Sequence, residues 1–382
     1  MRIFTFYLYF LLNALVIHPP VMAFDQVQQT LQDLKKQLEV LRKRIEQLEK
    51  EQIASAKINK HKAQSIKEIP DKLEVEANTR ARVYATIRPT FGHIDEAGVS
   101  QWDVRDALSH AGFKLNNEFN PGWSAEAQGE WGIDLSNHGD FGKSRRAYVA
   151  LASPYGRIGI GKQRPPQYLL IAEYLDIFNH ASSPFAYDPE SLFFVDNLLT
   201  YKLKTNDLTW MASSQFDGAI GDENNDLVNL GLSYDKGPLH AAFTYLSQDM
   251  RLNGIKTGED EVIGGALAYK FTPDWYLALG YQDRRYKDDA SLLKRNGHTF
   301  DMSMAYHLSK ILRLKLGYFD FDDGHEHLLS QSFSGYNTTL EWLPDANLRF
   351  HLEFLHRDFD YLEDFSSFSL GFRYDFAKEW KY

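Results

Sequence analysis

The chain is dominated by a two-residue alternation. Across Ser367–Phe376, Phe368, Leu370, Phe372, Tyr374 and Phe376 share one parity, and Ser369, Gly371, Arg373 and Asp375 take the other. A strand has a side-chain period of two, so this segment has one apolar, aromatic face and one polar, charged face. Leu312, Leu314, Leu316 and Tyr318 alternate with Arg313, Lys315 and Gly317, and Phe300, Met302, Met304 and Tyr306 with Asp301, Ser303, Ala305 and His307. Val228 to Asp235 and Leu277 to Gln282 repeat the pattern. One such strand fits a soluble sandwich, or a membrane barrel whose apolar face meets lipid while its polar face lines a wet lumen. The number of strands, and the aromatics closing their apolar faces, favour the barrel.

About sixteen segments of this kind are expected from Thr79 onward, the even number typical of single-chain outer-membrane barrels. The early ones are Arg82–Phe91, His110–Phe119, Trp123–Leu135, Arg145–Ser153 and Gly156–Gln163. Later ones begin at Asn197, Asp207, Asp226, Gly237, Glu261, Trp275, His298, Ile311, Gln331, Asn347 and Ser366. The clusters at Asp235–Pro238, Thr272–Asp274 and Pro344–Ala346 read as tight turns. Asp249–Asp260, Arg285–Gly297 and Phe321–Ser330 read as long polar loops. Short turns at one end and long loops at the other suit an outer-membrane barrel.

Three different segments precede the barrel. Residues 1–23 read as a secretory signal, with Arg2 ahead of an apolar stretch and Val21-Met22-Ala23 as cleavage site. In residues 24–53, Val27, Leu31, Leu34, Leu38, Leu41, Ile45 and Leu48 are spaced alternately by four and three. That narrow stripe predicts a short α-helical coiled coil between copies of the chain. Residues 54–78, charged and broken by Pro70, read as a linker, and 79–382 as the barrel. The expected fold is therefore all-β, a transmembrane antiparallel barrel preceded by a coiled coil.

Composition narrows the picture. Aromatics are 14% of the 382 residues, with 21 Tyr and 26 Phe, which suits two interfacial girdles. Mean hydropathy is −0.43, and no apolar run of helix-spanning length follows the N-terminal stretch, so a barrel is the remaining way across a bilayer. There is no cysteine, hence no disulfide, thiolate chemistry or lipobox. A net charge of −10 argues against nucleic acid as partner.

The chain resembles the trimeric general porins of Gram-negative outer membranes over about Thr79 to Phe376. Ser109-His110-Ala111-Gly112-Phe113-Lys114 is similar to the family's second-strand pattern. Arg145-Arg146-Ala147-Tyr148-Val149-Ala150-Leu151 and Tyr155 to Gln163 are similar to strands four and five, with Lys162 where Arg is usual. Phe193-Phe194-Val195-Asp196-Asn197 to Tyr201 resembles the start of strand six. The coiled-coil preface resembles the DcaP-like subset.

The resemblance implies that Arg164–Asp196 is the third loop, folded inward to narrow the pore. Its acids are Glu173, Asp176, Asp188 and Glu190. Arg145 matches a basic residue that faces this loop in the family, whereas His110 and Asn197 stand where arginines are usual. Arg82, Arg88, Lys114, Lys162, Arg164 and Lys202 could rebuild that basic side. Apolar residues such as Ile171 and Phe178 should pin the loop to the wall. The aromatic end of the last strand, Phe372, Tyr374 and Phe376, with Tyr382 as the rival terminus, resembles the family's signal for the barrel-assembly machinery.

The expected function is passive diffusion of ions and small hydrophilic solutes, as a homotrimer in outer-membrane lipid and lipopolysaccharide, without a cofactor. A structural tether between membrane and cell wall, or a channel specific for an anion or dicarboxylate, are the alternatives. An enzyme is disfavoured: the thirteen His are scattered, and no Gly-x-Ser-x-Gly elbow or His-Glu-x-x-His is present.

Overall fold

The computed structural model describes Lys43 and residues 78–382, apart from 137–138, 180–190, 218–224, 253–254, 289–293 and 326–329. The chain divides into two units, Met1–Glu74 and Val75–Tyr382, and the second is the barrel. The expected signal, coiled coil and linker lie outside the described residues, save Lys43, which is helical and exposed.

The wall is a single antiparallel meander. Its strand segments are β1 (Asn78–Ile87), β2 (Pro89–Glu96), β3 (Val99–Asp106), β4 (His110–Asn120), β5 (Trp123–Ile133), β6 (Phe141–Ser153), β7 (Gly156–Gln163), β8 (Val195–Thr205), β9 (Leu208–Gln215), β10 (Leu227–Lys236), β11 (Leu239–Leu252), β12 (Ile255–Thr272), β13 (Trp275–Asp288), β14 (Lys294–His307), β15 (Leu312–Asp322), β16 (Phe333–Trp342), β17 (Leu348–Phe359) and β18 (Phe365–Lys381). β1 and β2 are two parts of one wall strand, since both pair with β18: Thr86 faces Asp375 and Phe91 faces Leu370. β2 pairs onward with β3, and β1 with β4, so β3 and β4 are likewise one strand. Eighteen segments thus make sixteen wall strands, and the last closes on the first. The break is bridged, because Arg88 N donates to Ser109 Oγ (2.7 Å) and Ala107 N donates to Arg88 O (2.8 Å).

Burial is inverted relative to a soluble protein. Leu230, Leu267 and Leu370 are 46, 50 and 52% exposed, while Asn229, Ser303, Asn337 and Glu341 on the opposite parity are 0% exposed. The expected alternation therefore holds, with the apolar parity outward. Outward aromatics cluster near strand ends: Trp342 stacks on Phe350 (5.2 Å), which lies beside Phe372, and Phe271 stacks on Trp275 (4.4 Å). Such rows suit the two bilayer interfaces.

Three expectations are corrected. Residues 92–109, unassigned between the first two segments, contain the β2–β3 hairpin. It turns through Ala97 (φ 52°) and Gly98 (φ 71°), and positive φ at both central residues is the turn whose twist matches its strands. Much of Asp249–Asp260 and Arg285–Gly297 is strand, because β11–β12 and β13–β14 rise as tall hairpins. There they are polar on both faces and tied by pairs such as Lys256 with Asp249 (2.6 Å). The last strand does not end at Phe376. β18 runs to Lys381, with Ala377–Lys381 paired to Arg80–Tyr84, and Tyr382 N donates to Thr79 O (2.9 Å). Phe372, Tyr374 and Phe376 are therefore inside the strand, and Tyr382 sits at its end.

This seam predicts that a chain truncated after Phe376, which leaves Arg80–Tyr84 without partners, forms far less heat-modifiable barrel in membranes than Phe376→Ala does. Equal assembly of the truncated chain would show that the end of the ladder is not needed for closure.

Candidate functional site

The stretch from Arg164 to Phe194 leaves β7 and returns at β8, so the expected Val195–Asp196 end belongs to the strand. Its described part packs on inward-facing side chains of the wall. Tyr168–Ala172 winds as a π-type turn and runs into one α-turn, Glu173–Leu175. Three apolar contacts hold the region. Leu192 packs with Val195, Leu198, Leu227, Leu246 and Val262 at the root. Ile171 and Leu175 pack with Ala266, Ala268 and Ala278 on β12 and β13. Phe178 enters a cluster of Ile94, Phe319, Phe321, Phe333, Leu355 and Phe365. The two predicted pins, Ile171 and Phe178, are thus buried against the wall.

Glycines make room for the helical turn. A Cβ built on Gly280 would lie 2.3 Å from Leu175 Cδ1, on Gly264 2.8 Å from Ile171 Cδ1, and on Gly231 2.6 Å from Leu170 Cδ1. Polar wall groups then satisfy the segment's backbone. His240 Nε2 lies 2.9 Å from Leu170 O, Tyr276 Oη donates to Tyr174 O (2.6 Å), and Ser303 Oγ donates to Leu175 O (2.6 Å). Lys315 Nζ donates to Ile177 O and to Glu341 Oε1. Asn179 N donates to Glu353 (3.0 Å), its side chain donates to Glu341 (2.9 Å), and Arg88 Nη2 donates to Asn179 O (3.0 Å). The segment is therefore bonded to the wall from β11 to β17 and to Arg88 at the β1–β2 break.

Facing it is a cavity of about 820 Å³. Among the described residues its charged lining is Arg88, Arg145, Arg146, Arg164, Lys270, Arg313, Lys315, Arg349 and Arg373 against Glu130, Glu173, Asp176, Asp235 and Asp274, nine basic to five acidic. Of the predicted residues, Glu173, Asp176, Arg88, His110, Arg145 and Arg164 meet here. Asp188 and Glu190 lie outside the described residues. Arg82, Lys114 and Lys202 are exposed nearer the tight-turn end and do not line this cavity; Arg82 is opposite Lys114, and Lys202 is opposite Arg157. Lys162 pairs with Asp196 (2.9 Å), in register with the outward-facing Ala147, so it leaves the basic side. Asn197 has φ 52° and serves the backbone, its carbonyl accepting from Phe216 N.

Arg146, Lys270, Arg313, Lys315, Arg349 and Arg373 also line the cavity and are not among the predicted residues. Arg349 stands directly opposite Arg373 across β17–β18, a like-charge pair that costs stability in a sheet. Asp375 offsets it, 2.9 Å from Arg373 and 3.4 Å from Arg349. Glu341 takes Arg313 and Lys315, and Glu130 takes Arg145 at 2.9 Å. Arg164 has no carboxylate at ion-pair distance among the described residues; its guanidinium lies over Tyr168 (3.8 Å), Phe193 (4.8 Å) and Phe194 (5.1 Å). Burial lowers the Arg164 pKa from its usual value, and Arg146 and Arg145 act in the same direction. Tyr174 lies flat on His240 at 3.4 Å, and burial, with the Asp235 charge, pushes its phenol up to about 12.

A closed wall, an inverted burial pattern and a charged inner cavity agree with the family match, since residues 63–381 match the model of the Gram-negative porins. The chain belongs to the Gram-negative porins. It is an outer-membrane β-barrel, and the family and fold are those of non-enzymatic channels. The fold is similar to an anion-selective porin from Comamonas acidovorans (TM-score 0.63, 16% identity, 78% of this chain and 100% of that one). It is similar also to the trimer form of OmpT from Vibrio cholerae (0.61, 16%, 78% and 99%) and to the outer membrane channel DcaP of Acinetobacter baumannii (0.61, 11%, 78% and 97%). No curated protein matches the sequence.

The Leu175 contact predicts two opposite failures. Leu175→Ala should destabilise the porin by about 2–4 kcal/mol through a cavity, and Gly280→Val by about 1–3 kcal/mol through overpacking. Denaturant unfolding of the lipid-reconstituted barrel measures both. Two neutral variants would mean that the turn does not bear on this wall.

Proposed function

We propose that this porin passes small hydrophilic solutes by passive diffusion, through a lumen narrowed by the 164–194 segment, and that it favours anions. The observation that carries the preference is the nine-to-five excess of basic side chains among the described residues of one cavity, including two arginines in direct register. Hydrated solutes cross without losing their water shell to lipid, and the charged walls set up a field that selects by charge. Glu173, exposed on the helical turn, and Asp176 form the acidic side of that field. The anion-selective relative supports the same direction. A barrel that served only as a tether between membrane and cell wall would have no need of such a cavity.

The chain is proposed to act as a homotrimer, with residues 1–23 removed and 24–53 pairing in the periplasm. The outer wall supports an interface on one side. From β10 to β17 the outward residues are mostly large and apolar, as lipid contact requires, with Ala241, Gly265 and Thr338 among the exceptions. Across β18, β1 and β4 to β7 the outward rows read Trp380, Ala81, Leu115, Ala127, Val149, Ile160 and Lys378, Val83, Phe113, Gly129, Ala147, Lys162. Small residues and lysines in these rows suit close approach of another protomer better than lipid. A groove of about 530 Å³ opens there, lined by Leu115, Ala127, Val149 and Ile160 among others. Lipopolysaccharide would cover the remaining wall, and the barrel-assembly machinery would read the end of β18.

Two measurements in planar bilayers test this reading. Under a salt gradient the reversal potential should have the sign of anion preference, and Arg349→Gln with Arg373→Gln should move it towards zero. A cation-selective parent channel would overturn the preference. Replacing Pro166–Asn179 with a short Gly-Ser link should raise single-channel conductance and admit larger sugars; unchanged values would remove the segment from the conduction path.

A further inference from the structure

Among the described residues, His240 is the one histidine that bonds to the backbone of the inward segment, and both its ring nitrogens face acceptors. Nε2 lies 2.9 Å from Leu170 O and Nδ1 lies 2.6 Å from Asp235 Oδ1. A backbone carbonyl can only accept, so Nε2 carries a proton. An ionised carboxylate can only accept as well, so a second proton lies between Nδ1 and Oδ1. The pair therefore holds one proton more than a neutral imidazole beside a carboxylate. Tyr174 of the helical turn lies flat on the same ring, at 3.4 Å and 7°, and an aromatic face attracts such a cation.

The pair stands where a proton can reach it. Asp235 and His240 face each other across β10 and β11, one residue pair from the tight turn, and short turns lie on the periplasmic side of such barrels. His240 is buried, whereas the Asp235 side chain is 34% exposed and open to that water. Ser233 Oγ donates to Asp235 Oδ2 (2.9 Å) and keeps the carboxylate turned to His240. Lys204 on β8 acts on the Asp235 charge, and Glu173 acts on Tyr174. Lys270, Asp274 and His307 line the same cavity from β12, the turn after it and β14. Of these groups, only Asp235 lies at ion-pair distance from His240.

We propose that Asp235 and His240 are positioning residues that hold the helical turn through one shared proton, so that acidity on the periplasmic side sets how firmly the pore is narrowed. The proposal rests on the narrowing proposed above. While the proton is present, His240 donates to Leu170 O and carries Tyr174 on its face. When the proton leaves to water, the Nδ1 lone pair confronts the carboxylate at 2.6 Å. The ring then turns away, and the Leu170 and Tyr174 contacts go with it. The hold is thus complete at low pH and lost as pH rises. The apolar pins at Ile171, Leu175 and Phe178 carry no charge, so the segment loosens around Tyr174 while the barrel stays closed. Asp235→Asn makes the hold independent of pH. Its amide N–H can donate to Nδ1 of a neutral ring that still donates from Nε2 to Leu170 O.

The test uses the full chain in lipid vesicles, with a nitroxide spin label on Glu173→Cys; the chain has no other thiol. The label should be mostly immobilised at about pH 5 and mostly mobile at about pH 9. With Asp235→Asn added it should be immobilised at both, and with His240→Gln mobile at both. A parent label that ignores pH, or an Asp235→Asn label that loosens as the parent's does, would overturn the proposal. Single-channel current through the same proteins should turn from steady to flickering where the label loosens. Steady current over a loosened label would leave the shared proton standing and overturn the narrowing instead.

Discussion

The structure depends on one requirement: peptide groups crossing a bilayer must be hydrogen-bonded within the protein. The pairing of β18 with β1 and β2 meets it by closing the ladder. Once the ladder is closed, the strand period sorts side chains into two environments. Most leucines and aromatics go to lipid, Asn229, Thr244, Gln282, Asn337 and Glu353 go to the interior, and the few inward apolar side chains, such as Phe319 and Leu355, gather where the segment from Arg164 packs. No apolar core of the ordinary kind forms. Order inside the barrel must come from something else that enters it.

The entering segment is the one from Arg164. It carries its own apolar residues to three places where the inner wall is small or apolar, and it exposes its carbonyls to wall donors. This couples stability to the pore. The glycines that admit Leu170, Ile171 and Leu175 also set how far the helical turn stands out from the wall. The Lys315–Glu341–Asn179 network fixes the far end and holds two charges of the interior in place. A like-charge pair such as Arg349 and Arg373 is costly to the sheet and is kept only partly neutralised by Asp375. Under the anion preference proposed above, that cost is offset by the field the pair adds to the lumen.

Much of this was legible from the sequence. Alternation marked the wall strands because both environments are extreme, and a long segment rich in acids and apolar residues marked the inward loop. The β2–β3 hairpin escaped notice because Asp95, Glu96, Ser100 and Asp103 blur the alternation there. The tall hairpins escaped for a related reason: beyond the bilayer both faces are wet, and the period disappears. Of the nine basic residues on the cavity, only Arg88, Arg145 and Arg164 were legible. Family resemblance led to Arg145 and His110 on early strands, whereas Arg313, Arg349 and Arg373 lie on late strands. Their parity was visible, but their height relative to the segment depends on strand tilt and on the path of the loop. Lys162 shares the parity of the outward Ile158 and Ile160, and it entered the basic set through the family resemblance and not through that parity.

The central claim is that the exposed side of this helical turn borders the conduction path. The chain contains no cysteine, so Glu173→Cys gives a single addressable thiol. Single-channel current should fall stepwise when a bulky, charged thiol reagent is added to the open porin, and recover on reduction. A variant that is fully labelled, yet carries the same current before and after, would contradict the account.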